Sequence, residues 1–197
     1  MSEPKKTSLY DVHEKYGGRV IDFAGWALPV QYEGITAEHE AVRNCAGIFD
    51  VSHMGEVEVR GPQATDFVQN LVTNDVSVMN ENQVIYAMMC YPNGGIVDDL
   101  LVYKHANDFY LLVINASNVD KDFQWMKDNI GNYDAELKNI SEDVSEIALQ
   151  GPKAEEVLQE LTDTNLSEIA FFYFKTNVKI AGKNCRCGIQ GSFCLQF

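Results

Sequence analysis

The chain has 197 residues, 46% of them hydrophobic, with 5 prolines and a formal net charge of −14. That length allows one large domain or two small ones with a sizeable core, and the composition is globular, not disordered. The acidic balance argues against nucleic acid and against an anionic membrane surface as partners, and no apolar run approaches the length of a membrane span.

The opening Met1-Ser2-Glu3-Pro4-Lys5-Lys6 has neither the apolar core of a secretory signal nor the arginine-rich length of a transit peptide, so a cytoplasmic location is expected. Ala37–Cys45 predicts a helix, with Thr36 as N-cap and Gly47 just beyond its end. Cys45 and Cys90 fall in apolar surroundings, which suits reduced core thiols better than a disulfide framework. Gly55–Ala64 is then echoed by Ser145–Ala154, each reading as a short strand, Gly-Pro and the start of a helix. Proline at the first helical position costs nothing, because that N–H has no intrahelical partner. Ala64, Phe67, Val68, Leu71 and Val72 form one apolar face in the first copy; Ala154, Val157, Leu158 and Leu161 do so in the second.

Between the copies, strands are predicted over Val84–Tyr91 and Ile96–Lys104, joined by the turn Tyr91-Pro92-Asn93-Gly94-Gly95. A third strand, Phe109–Ile114, follows Asn107-Asp108, and a helix over Val119–Asn129 carries Phe123 and Met126 inward. After the second copy the pattern resumes with Phe171–Thr176, Val178–Ala181 and a turn at Gly182. Helices mixed with hairpins indicate an α+β fold with largely antiparallel sheets.

Asp98 and Asp99 stand out inside the second of these strands. Alternation puts Ile96, Asp98, Leu100 and Val102 on one face, and Val97, Asp99, Leu101 and Tyr103 on the other. Both faces are mainly apolar, so at least one carboxylate is carried toward a low-dielectric site, where it needs a partner or a ligand. The alternative is that both aspartates cap the turn and face water.

Val20–Val30, Ala41-Val42-Arg43, Gly47–Glu56 with its Phe-Asp-Val-Ser-His-Met-Gly-Glu, Leu71–Asp75, Gly94–Tyr103 and Asn115–Asn118 together resemble, in order, the amino-terminal half of the glycine cleavage T proteins. These are tetrahydrofolate-dependent aminomethyltransferases, and the resemblance runs from about Leu9 to about Asn184. It implies a folate-binding aminomethyltransferase-like fold. Residues 1–56 would begin its first subdomain, residues 57–149 would form the second, and residues 150–184 would return to the first. It also implies tetrahydrofolate as cofactor and the lipoylated H protein as partner. Asp99 would be the catalytic carboxylate beside the folate amines, and Asp98 a structural group satisfying backbone donors at the turn. Met54, Tyr86 and Asn115 would line the folate pocket, with Tyr103 as a further candidate. Methionine and tyrosine suit a flat ring and asparagine suits a pterin edge, although by residue type alone Met54 and Tyr86 read as core. His53 reads as a structural histidine with no catalytic role, and His13, His39 and His105 are too scattered for a metal site.

Two relatives of the same superfamily compete with this reading. Folate enzymes that demethylate sarcosine or dimethylglycine usually follow a flavin domain, and no GxGxxG occurs here. Non-enzymatic folate-binding proteins that assist iron–sulfur cluster assembly carry a Lys-Gly-Cys-Tyr-x-Gly-Gln-Glu motif, also missing.

The second copy is expected to break off. Residues 185–197 hold three of the 5 cysteines, and no acidic residue follows Glu168. The resemblance calls there for Ser-Arg-Thr-Gly-Tyr-Thr-Gly-Glu, and another reading frame across Gly188–Ser192 permits its last four residues. A frameshift near Asn184 or Cys185 is therefore expected, leaving an aberrant tail on an incomplete, inactive chain. Cys185, Cys187 and Cys194 match no strong zinc-ligand spacing.

Overall fold

The computed structural model describes residues 3–190 and 192–197. Met1, Ser2 and Gly191 lie outside them, with the parts of the leader and frame readings that rest on those residues. The described chain divides into two units. One comprises the segments up to His53, Ser145–Phe171 and from Lys175 onward; the other comprises Met54–Val144 with Phe172–Phe174. No helix among the described residues is long and apolar enough to cross a membrane.

The first unit opens with β1 (Lys5–Lys6), α1 (Tyr10–Lys15), β2 (Val20–Phe23), β3 (Trp26–Pro29), α2 (Ile35–Asn44) and β4 (Gly47–Asp50). β3 is the centre of a small sheet, with β1 parallel on one side and β2 antiparallel on the other. α2 starts earlier than its sequence pattern predicts, because a different group caps it. Glu38 Oε1 accepts from the amides of Tyr32 (2.7 Å) and Gly34 (2.8 Å), so a first-turn carboxylate, not the Thr36 hydroxyl, satisfies the entry to the helix. α2 buries none of its residues, and Cys45 at its end is accordingly exposed. Cys90, at the end of a strand, is half-buried. Neither is the core thiol expected.

The second unit holds β5 (Gly55–Arg60), α3 (Ala64–Leu71), β6 (Gln83–Cys90), β7 (Ile96–Ala106), β8 (Phe109–Ile114), α4 (Val119–Asn129) and β9 (Glu136–Asn139). Its strands run antiparallel in the order β6-β7-β8-β5-β9. Ala64, Phe67, Val68 and Leu71 of α3 are buried with Val57, Val59, Leu112 and Met126 in a continuous core. Apolar burial on this scale is what holds the sheet and its helices together.

The chain then supplies β10 (Glu146–Gln150), α5 (Ala154–Gln159), β11 (Tyr173–Ile180), β12 (Lys183–Ile189) and β13 (Phe193–Gln196). Where two short strands are expected after Phe171, one strand runs through, with Asn177 absorbing a positive φ of 58°. Of the segment expected as an aberrant tail, residues 185–189 lie in β12 and residues 193–196 in β13, in the strand order β4-β10-β13-β12-β11. A ladder is built from backbone groups, so cysteine-rich sequence joins it as long as its inward side chains are small and apolar. Burial pushes the Cys185 thiol up to about 11 and the Cys187 thiol up to about 12, leaving both as neutral core side chains.

The two copies repeat at a constant spacing of 90 residues (151 less 61), down to individual hydrogen bonds. Gly61 and Gly151 have φ of 138° and 124°, and a Cβ on either would lie 2.5 Å from a carbonyl oxygen, that of Asp134 or of Cys45. Those carbonyls accept from the amides of Gln63 (3.0 Å) and Lys153 (2.9 Å). Gln69 Oε1 accepts from the Val76 amide at 2.8 Å, and Gln159 Oε1 accepts from the Leu166 amide at 3.0 Å. Asn82 and Phe172 both take left-handed φ, 62° and 59°. Around them the second unit carries a reciprocal pair of bonds: Val84 N–H to Phe172 O at 2.7 Å, and Phe174 N–H to Asn82 O at 2.9 Å.

Candidate functional site

The site is built on the β6–β7 hairpin, whose register contains an irregularity. Met89 pairs with Asp98 but Cys90 pairs with Ile96, so Val97 is an extra residue on β7. Such a bulge re-aims side chains. Val97 joins Leu100 and Val102 in the core, leaving the face that strict alternation gives it. Asp98 and Asp99 still point to opposite faces.

On one face, three elements converge on Asp99. The Tyr86 hydroxyl, from β6, donates to Asp99 Oδ2 at 2.6 Å. Asn115, one residue past β8, donates from Nδ2 to Asp99 Oδ1 (3.2 Å), to the Asp99 carbonyl (3.1 Å) and to Asp98 Oδ1 (3.1 Å). Tyr86 is 55% exposed and Met88, two residues on, is exposed as well, so an aromatic ring and a thioether flank the carboxylate at the surface. The bond to Asp99 raises the Tyr86 phenol above its usual pKa, which keeps the hydroxyl a donor. Met54, just before β5, packs half-buried against Val84, Leu111, Val113 and Phe174. Tyr103 does not reach the surface. It is 1% exposed, with its ring 5.3 Å from that of Phe174, so it belongs to the core beneath this face and offers a cofactor nothing to touch.

On the other face, Asp98 neither caps the turn nor faces water. It is 7% exposed and bonds with the fully buried Asp122 of α4. Burial by itself would raise Asp98, but bonds with Asp122, Asn118, Asn115 and the Asp99 amide outweigh it and hold Asp98 below the ordinary carboxylate range. Asp122 moves the opposite way, pushed up to about 7 by burial and then by Asp98. The Lys121 ammonium donates to the Val97 carbonyl and stands 3.4 Å from Asp122 Oδ1. Sequence reading missed Asp122, although a signal existed. It lies four residues before Met126, on the stripe that α4 turns to the core.

The arrangement offers a carboxylate whose two oxygens are each held by a neutral donor, beside an exposed aromatic ring. A flat molecule carrying amine groups meets both needs at such a surface.

The GCVT N-terminal domain family matches residues 9–191. An aminomethyltransferase of Alkaliphilus oremlandii is 66% identical over 194 residues, covering 97% of this chain and 53% of that protein. One of Thermoanaerobacter pseudethanolicus is 63% identical with the same coverage of both. The crystal structure of glycine cleavage system aminomethyltransferase T from Bartonella henselae matches with a TM-score of 0.85 at 29% identity, over 98% of this chain and 52% of that one. The chain spans about half the length of the curated relatives it matches.

Proposed function

The chain belongs to the GCVT N-terminal domain family, and from that premise we propose that it carries the folate-facing residues of a tetrahydrofolate-dependent aminomethyltransferase. Bound tetrahydrofolate would supply the amine that accepts a one-carbon unit from the lipoyl arm of an H protein, with ammonia released. The partner on this reading is the lipoylated H protein, in the cytoplasm.

The observation that carries the proposal is the Asp99 carboxylate, held by Tyr86 and Asn115 beside an exposed ring. Two fixed donors orient Asp99 in advance, so it can face developing positive charge without reorganising. Asn115 bridges Asp98 and Asp99 through one amide group, tying the orientation of the surface carboxylate to a buried one. Tyr86, Met88 and Met54 offer polarisable surface for a flat ring, while Tyr103 gives that surface a packed floor.

Calorimetric titration with 5-formyl-tetrahydrofolate tests the binding half of the proposal. Loss of a charge-assisted contact in Asp99→Asn is expected to weaken binding about tenfold or more. In a frame-restored full-length version, assayed for methylene-tetrahydrofolate formation from aminomethyl-loaded H protein, the same change is expected to cost about 10²–10³ in rate. An Asp99→Asn chain that matches wild type in both measurements would sink the proposal.

A further inference from the structure

We infer that Asp122 is a positioning residue for Asp99: it shares one proton with Asp98, and the shared proton keeps the Asn115 amide turned onto Asp99. The inference rests on the folate reading for what Asp99 does, but not for the geometry around it.

The buried polar groups between β7 and α4 are not all satisfied. Asp122 is fully buried and Asp98 nearly so, yet Asp98 Oδ2 and both Asp122 oxygens lack a conventional donor among the described residues. Two buried carboxylates cannot stand against each other with both charged. The charged groups acting on Asp122 are Asp98, from β7, and Lys121, from its own helix. Lys121 is engaged with the Val97 carbonyl and half-exposed, so it does not quench two negative charges. A proton held between the carboxyls resolves the problem. Asp122 is then the neutral donor and Asp98 the anion, with Asn118 and Asn115 adding amide contacts to Asp98.

The pair reaches the surface through Asn115. Its Nδ2 divides between Asp98 Oδ1 and Asp99 Oδ1, so the place of Asp98 fixes the direction of the amide. When Asp122 loses its proton to solvent, repulsion between the carboxylates displaces Asp98 and Asn115 follows. Both protons of the pair belong to one coupled titration.

The sign of the linkage is set by the raised pKa of Asp122. Between about pH 4 and about pH 7, Asp122 holds its proton in the folded chain and has lost it in the unfolded chain. The contribution of Asp122 to stability is complete below that window and is lost as pH rises through about 7. Asp122→Asn stays neutral and should remove that slope.

The experiment is NMR on the 197-residue chain with aspartate carboxyl and asparagine side-chain labels, compared with Asp122→Asn. One carboxyl resonance, missing in the variant, should titrate with a midpoint at about pH 7. The Asn115 side-chain amide pair should move with the same midpoint in wild type and stay put in the variant. Asp122 titrating in the ordinary aspartate range, or Asn115 indifferent to its titration, overturns the inference. If the variant does not fold, the wild-type titration decides alone. A parallel titration with 5-formyl-tetrahydrofolate separates the two readings. Absence of folate binding with the NMR result intact counts against the proposed function only. Folate binding with an indifferent Asn115 counts against the positioning role only.

Discussion

The two copies of the strand–Gly-Pro–helix unit share a joint and differ in what surrounds it. Phe67 and Leu71 of α3 correspond, 90 residues on, to Val157 and Leu161 (157 less 67, 161 less 71). The first pair is buried, while Val157 is 42% and Leu161 50% exposed. The cause is the neighbouring helix. α4 brings Met126, Phe123 and Trp125 to the core over α3, whereas α2, which precedes β4 as α4 precedes β9, buries nothing. Register extends the contrast to the chemistry. Glu56 pairs with Val113 as Glu146 pairs with Gln196, and Leu101 then pairs with Val113 as Arg186 pairs with Gln196. Counting back from Leu101 and Arg186 makes Asn184 the counterpart of Asp99 and Lys183 the counterpart of Asp98, 85 residues on (186 less 101). The joint is common scaffold; the carboxylates belong to one copy. An identical local frame thus fixes neither burial nor chemistry, and function lies in what is grafted onto it.

The contrast can be broken most directly in the helices. Phe67→Ala should cost about 3–5 kcal/mol, whereas Val157→Ala, its counterpart, should stay within about 0.5 kcal/mol. Urea unfolding of both variants measures the gap, and equal losses would show that the second helix is packed as tightly as the first. The joint itself should respond alike in both copies. Gly61→Ala and Gly151→Ala each force a side chain against a carbonyl at positive φ, for about 1–3 kcal/mol apiece. A harmless change at either glycine would mean that the repeat is not the structural unit. The smallest effect is expected at the glutamine clamps, where Gln69→Ala and Gln159→Ala should each cost about 1 kcal/mol. Hydrogen exchange at the Val76 and Leu166 amides would then report local opening, and unchanged protection would remove the clamp from the account.

Much of this was open to a reader of the sequence, and the exceptions have a common cause. Val119–Asn129 and Phe109–Ile114 read correctly because their periodicity and flanking turns are local. Tyr86, Asp99 and Asn115 were named from resemblance, and the structure brings Tyr86 and Asn115 each within hydrogen-bond distance of Asp99. Asp98 was misread as a turn cap because its partner lies on α4, beyond the reach of any local pattern. Val97 changed sides because a bulge depends on the opposing strand. The helix of the second copy looked amphipathic, and its pattern was real. What it lacked was a partner to bury the whole face.

The discontinuity of the first unit has a consequence for how the chain is made. Met54–Val144 is one uninterrupted stretch, and all five of its paired strands are available once Val144 has left the ribosome. β4 is synthesised earlier but pairs with β10, whose residues follow Val144, so Ile48 waits for Leu149. Unpaired strand edges invite wrong association while they wait, and long-range pairing is slow to form. The five strands of the unit that bears Asp99 are therefore complete early in translation, Phe172–Phe174 join them later, and β4 stays unpaired in between.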